Sequence, residues 1–326
     1  VIGINDDAVV NFTNTGDIGF TAAGSTTLTL RGNESSALRD NVFSPRIVDN
    51  TLGGLTNVNK IEAGLWILNN TNTYSGLTTV SAGTLGVSAS GALGVGNSNA
   101  VANGTTISGG AGVGVQMRNS ATISGERLLI TGDGGSLTAV SGANIWDGSI
   151  VLNSNNFRAA TEAGSSIEMK GILSSDTNAR AFTVLGNGTI ILSAANTAQG
   201  ATNAQGGTLK LDYSLSDTSK LADAVALTFG GTGLQTLAGT DDNNTQVSRQ
   251  YALKGAILEL AGGTHTEIVG STAINAGASQ IVRTAGSAVL RMNAITRAQG
   301  GTMNFGAANI AQTDTPLIKI ASIVAA

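Results

Sequence analysis

The chain has 326 residues, a formal net charge of −4, 12 % charged and 4 % aromatic residues, 45 glycines and 41 % apolar residues. So low a charge excludes an ordinary helical protein of this size, and 17 scattered Lys and Arg residues with no basic stripe speak against nucleic acid as a partner. Cysteine is absent, which removes disulfides and thiolate metal sites, and no apolar run reaches the roughly 20 residues of a membrane helix.

Thr, Ser, Asn and Gln fill most polar positions, and these residues suit strands and turns better than helices. Along the chain one strand-like word recurs: a small residue, then aliphatics, then Asn, Ser or Gly. It first reads Ser25-Thr-Thr-Leu-Thr-Leu-Arg-Gly. Residues 34–50, charged for this chain and holding Pro45, are expected to form a loop or short helix lying on the surface. The word returns at Gly64-Leu-Trp-Ile-Leu-Asn-Asn, Ala82-Gly-Thr-Leu-Gly-Val-Ser, Gly148-Ser-Ile-Val-Leu-Asn-Ser, Gly188-Thr-Ile-Ile-Leu-Ser-Ala and Gly206-Gly-Thr-Leu-Lys-Leu-Asp. Residues 214–226 could form one to three helical turns capped by Ser216 or Asp217. Residues 239–250 read as an exposed polar loop. Gly255-Ala-Ile-Leu-Glu-Leu-Ala, Gly286-Ser-Ala-Val-Leu-Arg-Met and Gly300-Gly-Thr-Met-Asn-Phe-Gly close the series.

A longer unit repeats without gaps. Residues 64–87 align with residues 188–211 at an offset of 124 (188 − 64). The identical pairs are Gly64/Gly188, Ile67/Ile191, Leu68/Leu192, Asn72/Asn196, Thr73/Thr197, Gly76/Gly200, Thr78/Thr202, Gly83/Gly207, Thr84/Thr208 and Leu85/Leu209. Strand openings at Gly64 and Ala82 lie 18 residues apart (82 − 64), as do those at Gly188 and Gly206 (206 − 188). That spacing approaches one turn of a parallel β-helix, with Asn and Gly at corners that need left-handed backbone and Asn or Thr free to stack in ladders. The expected fold is all-β: a parallel β-helix (β-solenoid) with short loop or helical insertions, continuous over residues 1–326. At about 20–25 residues per turn it would make roughly 13–16 turns. Val1-Ile-Gly-Ile and Ile318-Lys-Ile-Ala-Ser-Ile-Val are poor caps, so a section of a longer rod, or one that joins head to tail into a filament, is expected.

The segment from Leu65 to Val87 resembles the autotransporter-associated β-strand repeat at Leu68, Asn72, Thr73, Tyr74, Gly76, Thr78, Thr79, Val80, Gly83, Thr84 and Leu85. The second copy departs from it at Ala198, Asn203 and Ala204. Residues 262–314 are also similar to segments of very large, repeat-rich bacterial surface proteins. The resemblance implies a secreted, passenger-like region, extracellular or on the bacterial cell surface.

Few residues suggest chemistry. His265, the only histidine, shares a strand face with Glu267; the two are an incomplete zinc set, and a solvent-facing cross-rung partner is the better reading. Asp241-Asp242-Asn243-Asn244 could offer oxygen ligands to Ca²⁺ but lacks the spacing and closing glutamate of a calcium loop, and Asp6-Asp7 is weaker still. Carboxylates and bases that a β-helical carbohydrate-active enzyme could use are Glu126/Arg127, Glu162, Glu168/Lys170, Glu259 and Arg283/Arg291. Trp66, Trp146 and Tyr74 could stack on sugars, though burial in the core is the default. No catalytic, cofactor-binding or metal residue is assigned. The sequence points to a non-enzymatic extracellular structural or adhesive protein, the alternative being a polysaccharide lyase or glycosidase. Its expected partners are itself, other cell-surface or matrix components, or glycans.

Overall fold

The computed structural model describes residues 2–4, 9–32, 40–95, 103–238, 248–307, 318–319 and 322–323. Alternation along each short strand sends every second side chain to one side, and the chain coils so that those sides face one another. Three faces result, with strands stacked in parallel register from coil to coil. The first face holds eight strands from Ile2–Ile4 to Leu173–Ser175. The second holds thirteen, from Asn11–Phe12 to Ser322–Ile323, and the third eight, from Thr122–Ile123 to Gly301–Ala307. Three further strands, Thr266–Ile268, Val289–Arg291 and Ile318–Lys319, take the first face's place in chain order after a gap. The molecule is thus a β-solenoid of about 11 turns.

Register turns the alternation into files of core residues. On the second face Trp66, Leu85, Val115, Leu137, Ala159, Val184, Ala204, Phe229 and Ile274 stand one above another. On the third, Ile167, Ile190, Leu209, Leu258 and Ile281 do the same. These files meet in one continuous apolar core. Each buried Leu or Ile in it contributes about 1.5–3 kcal/mol, summed along the axis.

Coil lengths vary, which is why the turns are fewer than 13–16. Leu65 pairs with Thr84, 19 residues on (84 − 65), whereas Thr84 pairs with Gly114, 30 on (114 − 84). Ala226 pairs with Ser271, 45 on (271 − 226), because an antiparallel hairpin of Leu234–Ala238 and Ser248–Ala252 intervenes. That hairpin lies against the second face, where Leu237 and Tyr251 bury the outward side chains Ala160 and Leu185.

Three sequence expectations need correction. No helix occurs among the described residues, so 214–226 is irregular until the strand Ala226–Phe229 begins. The 34–50 segment contains the strand Asn41–Phe43 of the second face, its residues 34–39 lying outside the described ones. Of the expected loop at 239–250, residues 248–250 belong to the hairpin and 239–247 lie outside the described residues.

Candidate functional site

The repeated residues build a distinctive two-stranded coil. In the first copy Leu65–Leu68 and Thr84–Val87 lie side by side on the second face, and Thr78–Val80 lies on the first. No strand forms on the third side, where residues 69–77 pass. Asn72 takes over the missing strand's hydrogen bonding. Its Oδ1 accepts the Ile47 N–H of the preceding coil at 2.8 Å, and its Nδ2 donates to the Ala92 carbonyl of the following coil at 2.6 Å. The N–H groups of Thr73 and Tyr74 both reach the Ile47 carbonyl, at 2.8 and 3.2 Å.

Asn196 does the same in the second copy. Its Oδ1 accepts the Leu173 N–H at 2.9 Å and its Nδ2 donates to the Lys220 carbonyl at 3.3 Å. Thr197 and Ala198 share the Leu173 carbonyl at 2.9 and 3.0 Å. The corner asparagines therefore do not stack on each other as a ladder; each bridges the backbones of the coils on either side. Asn41 is built alike, accepting the Val10 N–H and donating to the Leu65 carbonyl, both at 3.0 Å. In Asn144, Oδ1 accepts the Ala121 N–H at 3.0 Å and Nδ2 reaches the Ser166 carbonyl at 3.2 Å.

The repeat's glycines sit where coils touch. A Cβ on Gly76 would lie 2.2 Å from the Thr56 carbonyl oxygen, and one on Gly200 1.8 Å from that of Arg180. Gly83 and Gly207 take left-handed φ values of 62° and 59° at the turn before the next strand. Gly64 and Gly188 offer their carbonyls to the N–H groups of Thr84 and Thr208 at 3.2 and 2.9 Å. Leu68, Leu85, Leu192 and Leu209 are fully buried, and Thr78 and Thr202 are buried beside them. Tyr74 points into the core, where it and Thr78 share a 2.6 Å hydrogen bond and burial pushes its hydroxyl well above its usual range.

The second copy is rotated by one face. Thr189–Leu192 and Thr208–Asp212 lie on the third face and Thr202–Ala204 on the second, so its strandless side, residues 193–201, falls where the first face is interrupted. Within that interruption stands a buried polar cluster centred on Glu267. Tyr213 and Ser219 hydroxyls donate to its carboxylate at 2.7 and 2.8 Å, and the Lys220 and Leu221 N–H groups donate at 2.8 and 3.0 Å. The Lys220 ammonium donates to the carbonyls of Ser193, Ala194 and Ser216 at 2.8–3.1 Å and lies 5.4 Å from the Tyr213 ring centre. Burial lowers the pKa of this lysine, and burial followed by the Glu267 charge raises that of Tyr213.

The chemical candidates are dispersed. Glu267 is an interior hub rather than a solvent-facing partner of His265, because its four donors come from residues 213–221, which fill the strandless side. His265 is half-buried, its ring 5.5 Å from that of Tyr213. Glu126 faces the core, where burial pushes its carboxyl up to about 7 while the Thr105 hydroxyl, donating at 2.6 Å, partly opposes the rise. Glu162 is buried beneath the hairpin and accepts the Tyr251 hydroxyl at 2.5 Å. Glu168 accepts from Ser193 beside Lys170, and Glu259 accepts from Thr284. Arg127 directly follows Glu126, Arg283 stands opposite Leu260 on the rung next to Glu259, and Arg291 stands opposite Ile268 in a different stack of strands. Trp66 and Trp146 are fully buried, their Nε1 groups donating to the Arg31 and Glu126 carbonyls at 3.1 and 2.9 Å. Among the described residues no three His, Asp or Glu side chains gather as a metal site, and Asp6, Asp7, Asp241 and Asp242 lie outside them.

Residues 58–87 and 182–211 match the family model of the passenger-associated-transport-repeat. The two matches are separated by the same 124 residues as the internal repeat (182 − 58). Together with the β-solenoid they bear out the resemblance to bacterial autotransporter passengers. No curated protein and no solved structure matches the chain.

Proposed function

We propose that this chain is the rod of a surface-exposed or secreted bacterial passenger protein, with a structural or adhesive rather than a catalytic role. One observation carries the reading: two passenger repeats are built into a continuous β-solenoid as working coils. Stacking of coil on coil, with buried asparagines such as Asn72 and Asn144 bonded to the coils on both sides, favours slow unfolding and resistance to proteolysis outside the cell. Other copies of the rod, or components of the surface and matrix, are the partners this role calls for. The carbohydrate-active alternative gains no support from Glu126, Glu162, Glu168 and Glu259, which occupy separate places. Labelling of intact source cells with an antibody to the rod, beside blots of the medium and of the cytoplasmic fraction, tests the location. The expected result is labelling of unbroken cells, or presence of the rod in the medium, with the cytoplasm unbreached. Recovery solely from the cytoplasmic fraction overturns the proposal.

A further inference from the structure

The corner between the second and third faces carries a groove of about 480 Å³ beside the base of the hairpin. Its long wall is a column of equivalent corner residues. Gly230, Asn275 and Ala298 donate their N–H groups to the carbonyls of Ala204, Phe229 and Ile274, so Gln205, Gly230, Asn275 and Ala298 follow one another rung by rung. Gln299 and Gln205 thus stand about three rungs, or roughly 14 Å, apart. The intervening rung has no side chain at Gly230 or Gly231, which opens the space between Gln205 and Asn275.

The hairpin fixes the groove's shape. One leg is tied by the Gly231 N–H to the Ala276 carbonyl at 2.9 Å, and the other by the Lys254 N–H to the Gln205 carbonyl at 3.1 Å. Leu253 adds an apolar patch to the wall. Every lining side chain is neutral, and the nearby Lys254 ammonium is engaged by Asn187. The side chains of Gln205, Thr232, Asn275 and Gln299 make no hydrogen bond to any described residue. Three carboxamides and a hydroxyl are therefore free to pair with a ligand.

The geometry points to this groove as a binding site for a neutral glycan chain. A carboxamide offers a donor and an acceptor side by side, which suits a vicinal pair of hydroxyls, whereas a carboxylate or phosphate ligand would find no cation among the lining side chains. Leu253 and Ala276 supply surface for the C–H face of a sugar ring, and a groove spanning several rungs suits an extended chain better than a compact metabolite. The inference is independent of where the rod resides, since it rests on the groove alone.

The test is calorimetric titration of the full chain with cello-, xylo-, manno- and maltohexaose, with an oligogalacturonate of equal length as the charged control. At least one neutral chain should bind saturably, with a Kd of about 1 mM or tighter. The Gln205→Ala/Asn275→Ala variant should weaken that binding about tenfold or more at an unchanged melting temperature, because neither side chain holds the fold together. Absence of saturable binding by all four neutral chains, equal binding by the variant, or preference for oligogalacturonate overturns the proposal.

Discussion

Replacing Asn72 with alanine isolates the device on which the two-stranded coil depends. The substitution strands the Ile47 N–H, which Asn72 accepts at 2.8 Å, and deprives the Ala92 carbonyl of its 2.6 Å donor, both in a buried setting. An unsatisfied buried group costs about 1–3 kcal/mol, so Asn72→Ala should destabilise the coil by about 3 kcal/mol. Hydrogen exchange resolves the loss along the rod: the Ile47, Thr73 and Tyr74 amides should exchange about 100-fold faster, while amides near Phe229 and Ile274 keep their rates. Asn196→Ala should cost less, because that residue is only half-buried and its donor bond is 3.3 Å long. The Asn72→Asp variant supplies a control of mechanism. A carboxylate still accepts from Ile47 but faces the Ala92 oxygen with another oxygen; protonation restores a donor, so this variant's deficit should shrink as pH falls toward about 4. Unchanged exchange at Ile47 in Asn72→Ala would refute the bridging role.

Three further outcomes follow from named contacts. Gly200→Ala drives a Cβ to 1.8 Å from the Arg180 carbonyl oxygen and should cost about 3 kcal/mol, whereas Gly164→Ala, at φ 77° in open space, should cost about 1 kcal/mol; equal denaturation midpoints would contradict this. Glu126 holds its proton up to about pH 7 in the folded chain against an ordinary 4.5, so its stabilising contribution is complete below about 4.5 and is lost as pH rises through 7. Wild type should therefore lose about 3 kcal/mol relative to Glu126→Gln between pH 4.5 and 8, and parallel denaturation profiles for the two proteins count against the assignment. Tyr251→Phe removes the 2.5 Å bond to Glu162 and should speed exchange in Leu234–Ala238 and Ser248–Ala252, leaving Phe157–Thr161 protected.

Periodicity made the solenoid legible because it acts within a single strand. Leu209 and Leu211 alternate with Lys210, and the structure buries the leucines and leaves the lysine partly exposed. The 18-residue spacing of strand openings came within one residue of the true register, Leu65 to Thr84 and Thr189 to Thr208. Contacts between coils were hidden, because neither partner marks the other in sequence. Asn72 signals a corner, but nothing near it names Ile47 or Ala92. The segment 214–226 shows the same limit. A helix would give the Ser216 carbonyl to the Lys220 N–H four residues on. Instead that N–H goes to Glu267, 47 residues away, and the Lys220 ammonium claims the Ser216 carbonyl. Local helical preference lost to a distant carboxylate that needed those donors once it was buried.

The rotation of the repeat by one face explains why a short motif recurs inside an otherwise irregular coil. A three-stranded coil, such as that from Ser136 to Arg158, takes 22 residues (158 − 136), and the repeat saves a strand by closing in 19. Its saving comes from one corner asparagine whose amide serves the coils on both sides, together with a glycine that lets the backbone approach within van der Waals contact of the coil before it. Neither requirement refers to a particular face. The first copy leaves the third side strandless and the second copy the first side, yet Thr73 and Thr197 lean on the preceding coil through the same kind of shared carbonyl. The apolar files above and below each repeat need only an aliphatic at Leu68 or Leu192 and at Leu85 or Leu209 to continue unbroken. The passenger repeat is thus a portable coil closure rather than a fixed layer of the rod, and its two copies can lie 124 residues apart without imposing a period on what lies between them.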